Sequence, residues 1–331
     1  VSAATEVSLD EVRAAHQRIR AWIRRTPLLT SERLDSENGA SLYFKCEGLQ
    51  EVGAFKARGA SNALLSLAPP ALPAGVVTHS SGNHGAAVAW AARRRGVAAR
   101  IVMPRNSSKA KLEAVRSYGG EVVLCEPTQR AREAAAAELV RRTGAEFIHP
   151  YDDPRVIAGQ GTLALELLEQ QPRLDVLLLP VGGGGLASGV AVAVKALSPD
   201  TQVIGVEPEG ADDARRSFAS GVLTTLSHPD TQADGLRAAL SERTFALMRR
   251  YVDEVVTVPE ASLVPAMRAL WRSLHVLVEI SSAVPYAAVL ERRVQLAGKH
   301  VAIILTGANV DLDALPWIAA TTPAAASAGS R

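Results

Sequence analysis

Short apolar runs recur along the chain: Val76 to Thr78, Arg100 to Met103, Glu121 to Leu124, Asp175 to Leu179, Gln202 to Val206 and Val301 to Leu305. Runs of that length, rich in Val, Ile and Leu, predict strands buried on both faces. Longer amphipathic stretches lie between them, over Ala86 to Arg95, Lys109 to Tyr118, Arg130 to Thr143, Leu186 to Leu197 and Leu263 to Leu274, and predict helices. Near the start, Ser8-Leu9-Asp10-Glu11 has capping-box spacing, and Leu9, Val12, Ile19 and Ile23 share one face, so a first helix is expected to reach Arg25. Alternating strands and helices predict an α/β fold with parallel-rich sheets flanked by helices. Ligands in such folds bind beyond the carboxyl ends of strands. Three polar clusters fall at those places: Ser80-Ser81-Gly82-Asn83-His84-Gly85, Gly182 to Gly185, and Thr306-Gly307-Ala308-Asn309.

Composition narrows the class. The 331 residues, 47% hydrophobic and 21% charged, are enough for two globular domains. With 36 basic against 34 acidic residues, net charge +2, nothing marks a nucleic-acid or membrane-surface partner. Arg24-Arg25 and Arg93-Arg94-Arg95 read as solvated helix ends. Cys46 and Cys125 stand far apart, which excludes a disulfide framework or a Cys-x-x-Cys zinc site and fits a reducing cytoplasm. No leader pattern or bilayer-length apolar run is seen, so a soluble cytoplasmic protein is expected, with a flexible tail over 319–331.

The chemistry concentrates in four segments. Gly53-Ala54-Phe55-Lys56-Ala57-Arg58-Gly59-Ala60 surrounds Lys56 with small and apolar residues just before a helix-forming run. Desolvation there makes the neutral amine accessible, and Lys56 becomes a candidate Schiff-base nucleophile for pyridoxal phosphate. The plain alternative is a lysine laying its stem on an apolar surface with its head in water. Val181-Gly182-Gly183-Gly184-Gly185-Leu186 links a strand to a helix, where converging N–H groups and the helix dipole favour a phosphate; a tight turn is the structural alternative. Gly182-x-Gly184-x-x-Ala187, with Glu207 about twenty residues on, also matches a relaxed dinucleotide fingerprint. Ser80, Ser81, Asn83 and His84 can hold a substrate carboxylate and a phenolic oxygen, or serve only as an N-cap. Glu207, Asp212 and Asp213 offer hard oxygen ligands for Mg²⁺ or Ca²⁺, or a solvated turn.

The order of these segments resembles the fold type II pyridoxal-phosphate enzymes, the tryptophan synthase β-like fold, and in detail the serine/threonine dehydratase and serine racemase family. The resemblance runs from Thr26-Pro27-Leu28 through Lys45-Cys46-Glu47, Phe55 to Ala60 and Val156-Ile157-Ala158-Gly159-Gln160-Gly161-Thr162 to Leu305-Thr306-Gly307-Ala308-Asn309-Val310-Asp311. It implies that Phe55 and Lys56 meet the cofactor, Lys56 by covalent attachment. It also places Asn83 at the phenolic oxygen, Gly182, Gly183, Gly184, Gly185 and Leu186 at the phosphate, and Thr306 at the pyridine nitrogen. A neutral hydroxyl at that nitrogen makes a weaker electron sink than a carboxylate would, which suits elimination. Glu279 matches a residue near the ring. Lys56 and Ser81 match the two catalytic groups on opposite faces of the substrate, and Ser80, Ser81, Asn83, His84 and Arg132 match the substrate side. Glu207, the carbonyl of Ala211 and Asp213 match a divalent-cation site.

The implied activity is dehydration and deamination of a β-hydroxy amino acid, L-threonine or L-serine, to a 2-oxo acid and ammonia. Serine racemase and threo-3-hydroxyaspartate ammonia-lyase are the alternatives on the same scaffold. A β-replacement enzyme is disfavoured by His84, and a nicotinamide dehydrogenase by the lysine island and the serine-rich turn. The expected architecture is a large domain of residues 1–75 and 151–318 and a small mobile one of residues 76–150, assembled as a homodimer. No regulatory domain is expected after Trp317. Departures from the family wording fall at Ala54, Thr306, Tyr151, where relatives carry Phe or Asn, and Ile280-Ser281-Ser282-Ala283 beside Glu279.

Overall fold

The computed structural model describes residues 7–80 and 82–318. Two sheets organise them. The first has the order β1-β2-β10-β7-β8-β9, built from β1 (Leu28–Leu29), β2 (Ser41–Cys46), β7 (Val176–Pro180), β8 (Gln202–Pro208), β9 (Glu254–Val258) and β10 (His300–Leu305). The β1–β2 pair is antiparallel and the remaining pairs are parallel. The second sheet, all parallel, has the order β5-β4-β3-β6, from β3 (Val76–His79), β4 (Ala99–Pro104), β5 (Glu121–Cys125) and β6 (Glu146–Phe147).

Side chains alternate across the first sheet, and this divides its core into two layers. Val176, Leu178, Val301 and Ile303 face one layer with α11 (Leu263–Leu274) and α12 (Ile280–Leu290). Leu177, Leu179, Ala302 and Ile304 face the other, with α1 (Leu9–Ile19), α7 (Pro154–Gln170), α8 (Gly185–Leu197) and α10 (Glu242–Tyr251). The second sheet divides likewise. Val76, Ile101 and Met103 pack with α3 (Lys56–Leu65), α4 (Asn83–Arg95) and Val115 of α5 (Lys109–Ser117). Val77 and Val102 pack with α6 (Gln129–Thr143). Short α2 (Glu32–Asn38) and α9 (Asp213–Ser220) complete the described helices.

The predicted strands and helices appear within a few residues of their expected positions. The first helix is shorter than its pattern implies, ending at Ile19 instead of Arg25. Gln50 explains the difference: its Oε1 accepts from Arg24 N at 2.8 Å and its Nε2 donates to Arg24 O at 2.7 Å, drawing that backbone out of the helical ladder. Arg24-Arg25 is therefore an ordered connection and not a helix end. The tail expected over 319–331 lies outside the described residues.

Candidate active site

Lys56 opens α3 from a loop whose backbone is unusual: Val52 and Gly53 both adopt left-handed φ, +56° and +69°. Such a φ is strained for a β-branched residue, and tertiary bonds hold it. Asn309 Nδ2 donates to Val52 O at 2.8 Å, Ala308 N to Gly53 O at 3.0 Å, and Phe55 N to Thr306 O at 3.0 Å. Lys56 Nζ then donates to Pro150 O at 2.9 Å and lies 5.0 Å from the centre of the Phe55 ring. Burial pushes its pKa down to about 8, partly opposed by the charge of Glu279. The exposed-head alternative does not hold for this lysine.

Asn83, at the start of α4, donates to both oxygens of Glu279, at 2.9 and 3.1 Å, and its Oδ1 accepts from Asn309 Nδ2 at 2.8 Å. Burial raises Glu279 to about 7, and the Asn83 bond works against that rise. The departure at Ser281 and Ser282 turns out to be structural: Ser281 Oγ accepts from Gly235 N at 3.0 Å and Ser282 Oγ from Gly307 N at 3.4 Å. The first turn of α12 is thus tied to two loops beside Glu279. Thr306 is buried at the end of β10.

The glycine loop crosses from β7 to α8, whose N-cap is Gly184 at φ +81° with no side-chain cap. Side chains cannot enter it: a Cβ on Gly183 would collide with the Tyr151 ring, and one on Gly185 would meet Tyr151 Cβ at 2.8 Å. Leu186 is buried behind it. An uncapped helix N-terminus lined by backbone is a cradle for a phosphate. Since Tyr151 adjoins Pro150, one short segment joins the cradle to Lys56. The donor set therefore fits pyridoxal phosphate: an amine for its aldehyde, an amide for its phenolic oxygen and a backbone nest for its phosphate.

Glu207 and Asp213 are buried, so the solvated-turn alternative fails. Glu207 accepts from Ala214 N and Arg215 N, at 3.1 and 2.8 Å, and Asp213 from Leu240 N at 3.2 Å. Burial and the neighbouring Asp213 push Glu207 up to about 9, and burial lifts Asp213 to about 6. The turn between them carries buried Ala211. No group of three or more His, Cys, Asp or Glu with metal-holding geometry occurs among the described residues, so a cation here relies on two carboxylates and a carbonyl. Each Glu207 oxygen thus accepts one backbone N–H and keeps a lone pair for a further partner.

On the opposite side, Ser80 Oγ accepts from Gly82 N at 3.2 Å, and His84 Nε2 donates to Ile148 O at 3.3 Å. That bond fixes Nδ1 of buried His84 as an acceptor, and it has no partner. Arg132, near the start of α6, is half-buried with an unpartnered Nε, and its charge acts on both His79 and Tyr151. Ser81 lies outside the described residues. Asn309 enters the sequence reading only as the last member of a polar cluster, with no role of its own, and Pro150 not at all, because a backbone carbonyl leaves no signal in residue type.

Comparison with known proteins gives the family. Residues 19–307 match the family described as "Pyridoxal-phosphate dependent enzyme". The chain is 48% identical over 308 residues to the β-hydroxyaspartate dehydratase of Paracoccus denitrificans (strain Pd 1222), covering 93% of this chain and 98% of the relative. The structure of maize serine racemase superposes with a TM-score of 0.92 at 44% identity, covering 95% of this chain and 97% of that one. The threonine deaminase of T.th. gives 0.88 at 47% identity, covering 92% and 99%. The chain belongs to the pyridoxal-phosphate dependent enzymes of fold type II.

Proposed function

We propose that this enzyme is an ammonia-lyase that dehydrates and deaminates a β-hydroxy amino acid to a 2-oxo acid and ammonia. The observation that carries this reading is Lys56, an amine titrating near 8 on the Pro150 carbonyl, one residue from the segment that closes the glycine cradle. Pyridoxal phosphate supplies an electron sink for negative charge at the substrate α-carbon. The protein does the rest. Neutral Lys56 provides the attachment amine and, once free, the base for the α-proton. Asn83, steadied by Glu279 and Asn309, offers an amide donor, while Thr306 provides a neutral hydroxyl where a carboxylate would hold a proton on the ring. Loss of the β-hydroxyl as water and its return on hydrolysis leave the 2-oxo acid and ammonium.

L-threonine and L-serine satisfy this chemistry. Arg132 favours a second reading, threo-3-hydroxyaspartate, because its half-buried guanidinium with an unpartnered Nε suits a β-carboxylate. The test is a paired assay of the three substrates that follows 2-oxo acid and D-amino acid together, with Lys56→Ala as control. A dominant 2-oxo acid absent from the control supports the lyase; dominant D-amino acid, with Ser81 as the second acid/base, assigns a racemase instead. Arg132→Gln is expected to lower kcat/KM for hydroxyaspartate by about ten- to hundredfold while sparing serine, the scale of one charge-assisted contact.

Glu207, the Ala211 carbonyl and Asp213 are proposed to hold Mg²⁺ or Ca²⁺, supported by their all-oxygen donor set and the elevated pKa of both acids. Adding either ion at a hundredfold over its Kd is expected to stabilise the protein by about 2.7 kcal/mol in a melting experiment. Glu207→Gln should abolish that gain; retention would move the site elsewhere. Residues 76–150 are proposed to act as the small unit and 1–75 with 151–318 as the large one, consistent with the partition of the two sheets. The groove lined by Leu49, Val276 and Leu277 is proposed to seat a second copy, which a sedimentation mass checks with Leu49→Glu as the disrupting variant. Two buried free thiols suit a cytoplasmic setting, and fractionation of the producing cells tests it. No described helix is long and apolar enough to cross a membrane.

A further inference from the structure

Between β6 in one sheet and α7 on the other runs the crossover of residues 148–153, and two of its residues, Pro150 and Tyr151, serve the site while a third ties it to α10. Pro150 O receives Lys56 Nζ, Tyr151 seals Gly183 with its ring and Gly185 with its Cβ and backbone, and Asp152 Oδ1 accepts from Arg243 Nη1 at 2.5 Å. Bent backbone outside helix and strand has no ladder of its own, so something must fix its turn. Two of its N–H groups converge on one atom: Asp152 N lies 2.8 Å and Tyr151 N 3.3 Å from His149 Nδ1. Because both partners are donors, Nδ1 is a lone pair and the ring proton resides on Nε2. The ring is locked edge-on by Tyr151 at 4.7 Å, His79 at 5.8 Å and Phe147 at 5.9 Å between centres.

We infer that His149 is a positioning residue: its Nδ1 lone pair gathers the Tyr151 and Asp152 amides and thereby sets both the Pro150 carbonyl that holds Lys56 and the aromatic wall of the phosphate cradle. It touches neither substrate nor cofactor in this role. Burial keeps the imidazole neutral, at about 4. The inference rests on the proposed use of Lys56 and the glycine loop for the cofactor.

Two substitutions separate acceptor from ring. His149→Asn places Oδ1 where Nδ1 stood but discards the ring; His149→Phe keeps the edge-on packing and discards the acceptor. The readouts are the dissociation constant of pyridoxal phosphate from the full-length apoprotein, by fluorescence titration, and the visible band of the lysine-bound cofactor. Melting of each apoprotein reports on folding. The expected result is that Phe weakens cofactor binding about tenfold or more, equivalent to ~1.4 kcal/mol, and diminishes the band, while Asn stays within about threefold of the parent. A Phe variant that binds like the parent, or an Asn variant as impaired as Phe, overturns the assignment. If Phe fails to fold, Asn binding within threefold still supports it and Asn binding tenfold weaker still overturns it. Lys56→Ala isolates the underlying reading: unchanged affinity and an intact visible band there would sink the attachment role of Lys56 without reference to His149.

Discussion

At the scale of single residues, the chemistry depends on which protonation state Lys56 holds. Its ordinary value is 10.5 and burial brings it to about 8, so the reactive neutral amine is in hand more than two pH units earlier than on an exposed lysine. Capture of pyridoxal phosphate by the apoprotein is therefore expected to accelerate with pH up to about 8 and level off above it; stopped-flow recording of the visible band would reject the idea if the rate kept rising to pH 10. Removing the Glu279 charge, which opposes the depression, should move the midpoint downward in Glu279→Gln. The sign for stability follows from the same shift. Between about 8 and 10.5 the unfolded chain binds a proton that the native chain does not, so stability contributed through Lys56 rises with pH across that window and its burial cost is full below it.

Among the secondary-structure elements, the one that carries Lys56 is anchored by charge and not by apolar burial alone. Arg58, one turn into α3, pairs with Glu47 through Nε and Nη2, at 2.7 and 2.9 Å, and with Glu166 of α7 through Nη1 and Nη2, at 2.7 and 2.8 Å. Lys45 of β2 adds a 2.9 Å bond to Glu166, and all four side chains are buried. Arg58→Met leaves Glu47 without its cation in the interior and Glu166 with Lys45 alone, and denaturant unfolding is expected to show a loss of about 3–5 kcal/mol. Arg58→Lys should recover little, because one ammonium cannot make two forked pairs. A loss under about 1 kcal/mol for Arg58→Met would contradict the anchoring role. This network also marks the limit of what the pattern disclosed. β7, β8 and β10 were legible as unbroken apolar runs, and the glycine loop as a contiguous motif. In contrast, β2 hid its strand character behind Lys45, whose partners lie on other elements, and the end of α1 was decided by Gln50 from a distant loop. His149 acts through bonds to backbone groups, and Asn309 through one to the Val52 carbonyl and one to Asn83 far away in the chain, and neither kind leaves a mark on residue type.

Across the whole molecule, the site gathers segments that follow β3 of one sheet and β7 and β10 of the other, and the two sides are joined by side chains as well as by the chain. Lys111 on α5, beside the second sheet, forms an ion pair with Asp234, in the loop whose Gly235 is tied to Ser281 of α12. Both partners act on the ionisation of Glu279, Asp234 raising it and Lys111 lowering it, so the pair sits against the site it spans. If residues 76–150, the small unit, move to close the cleft on substrate, this pair favours the closed arrangement. Its members are 40% and 51% exposed, which limits its worth to about 0.2–1 kcal/mol, or roughly a 1.4- to fivefold effect. Lys111→Asp should therefore raise KM by about that factor with little change in kcat, and more weakly in high salt. The reciprocal exchange, Lys111→Asp with Asp234→Lys, restores the attraction with its sign reversed and should return KM toward the parent. If the double variant is no better than the single ones, the pair does not latch the cleft and the effect of each charge on Glu279 is the remaining explanation.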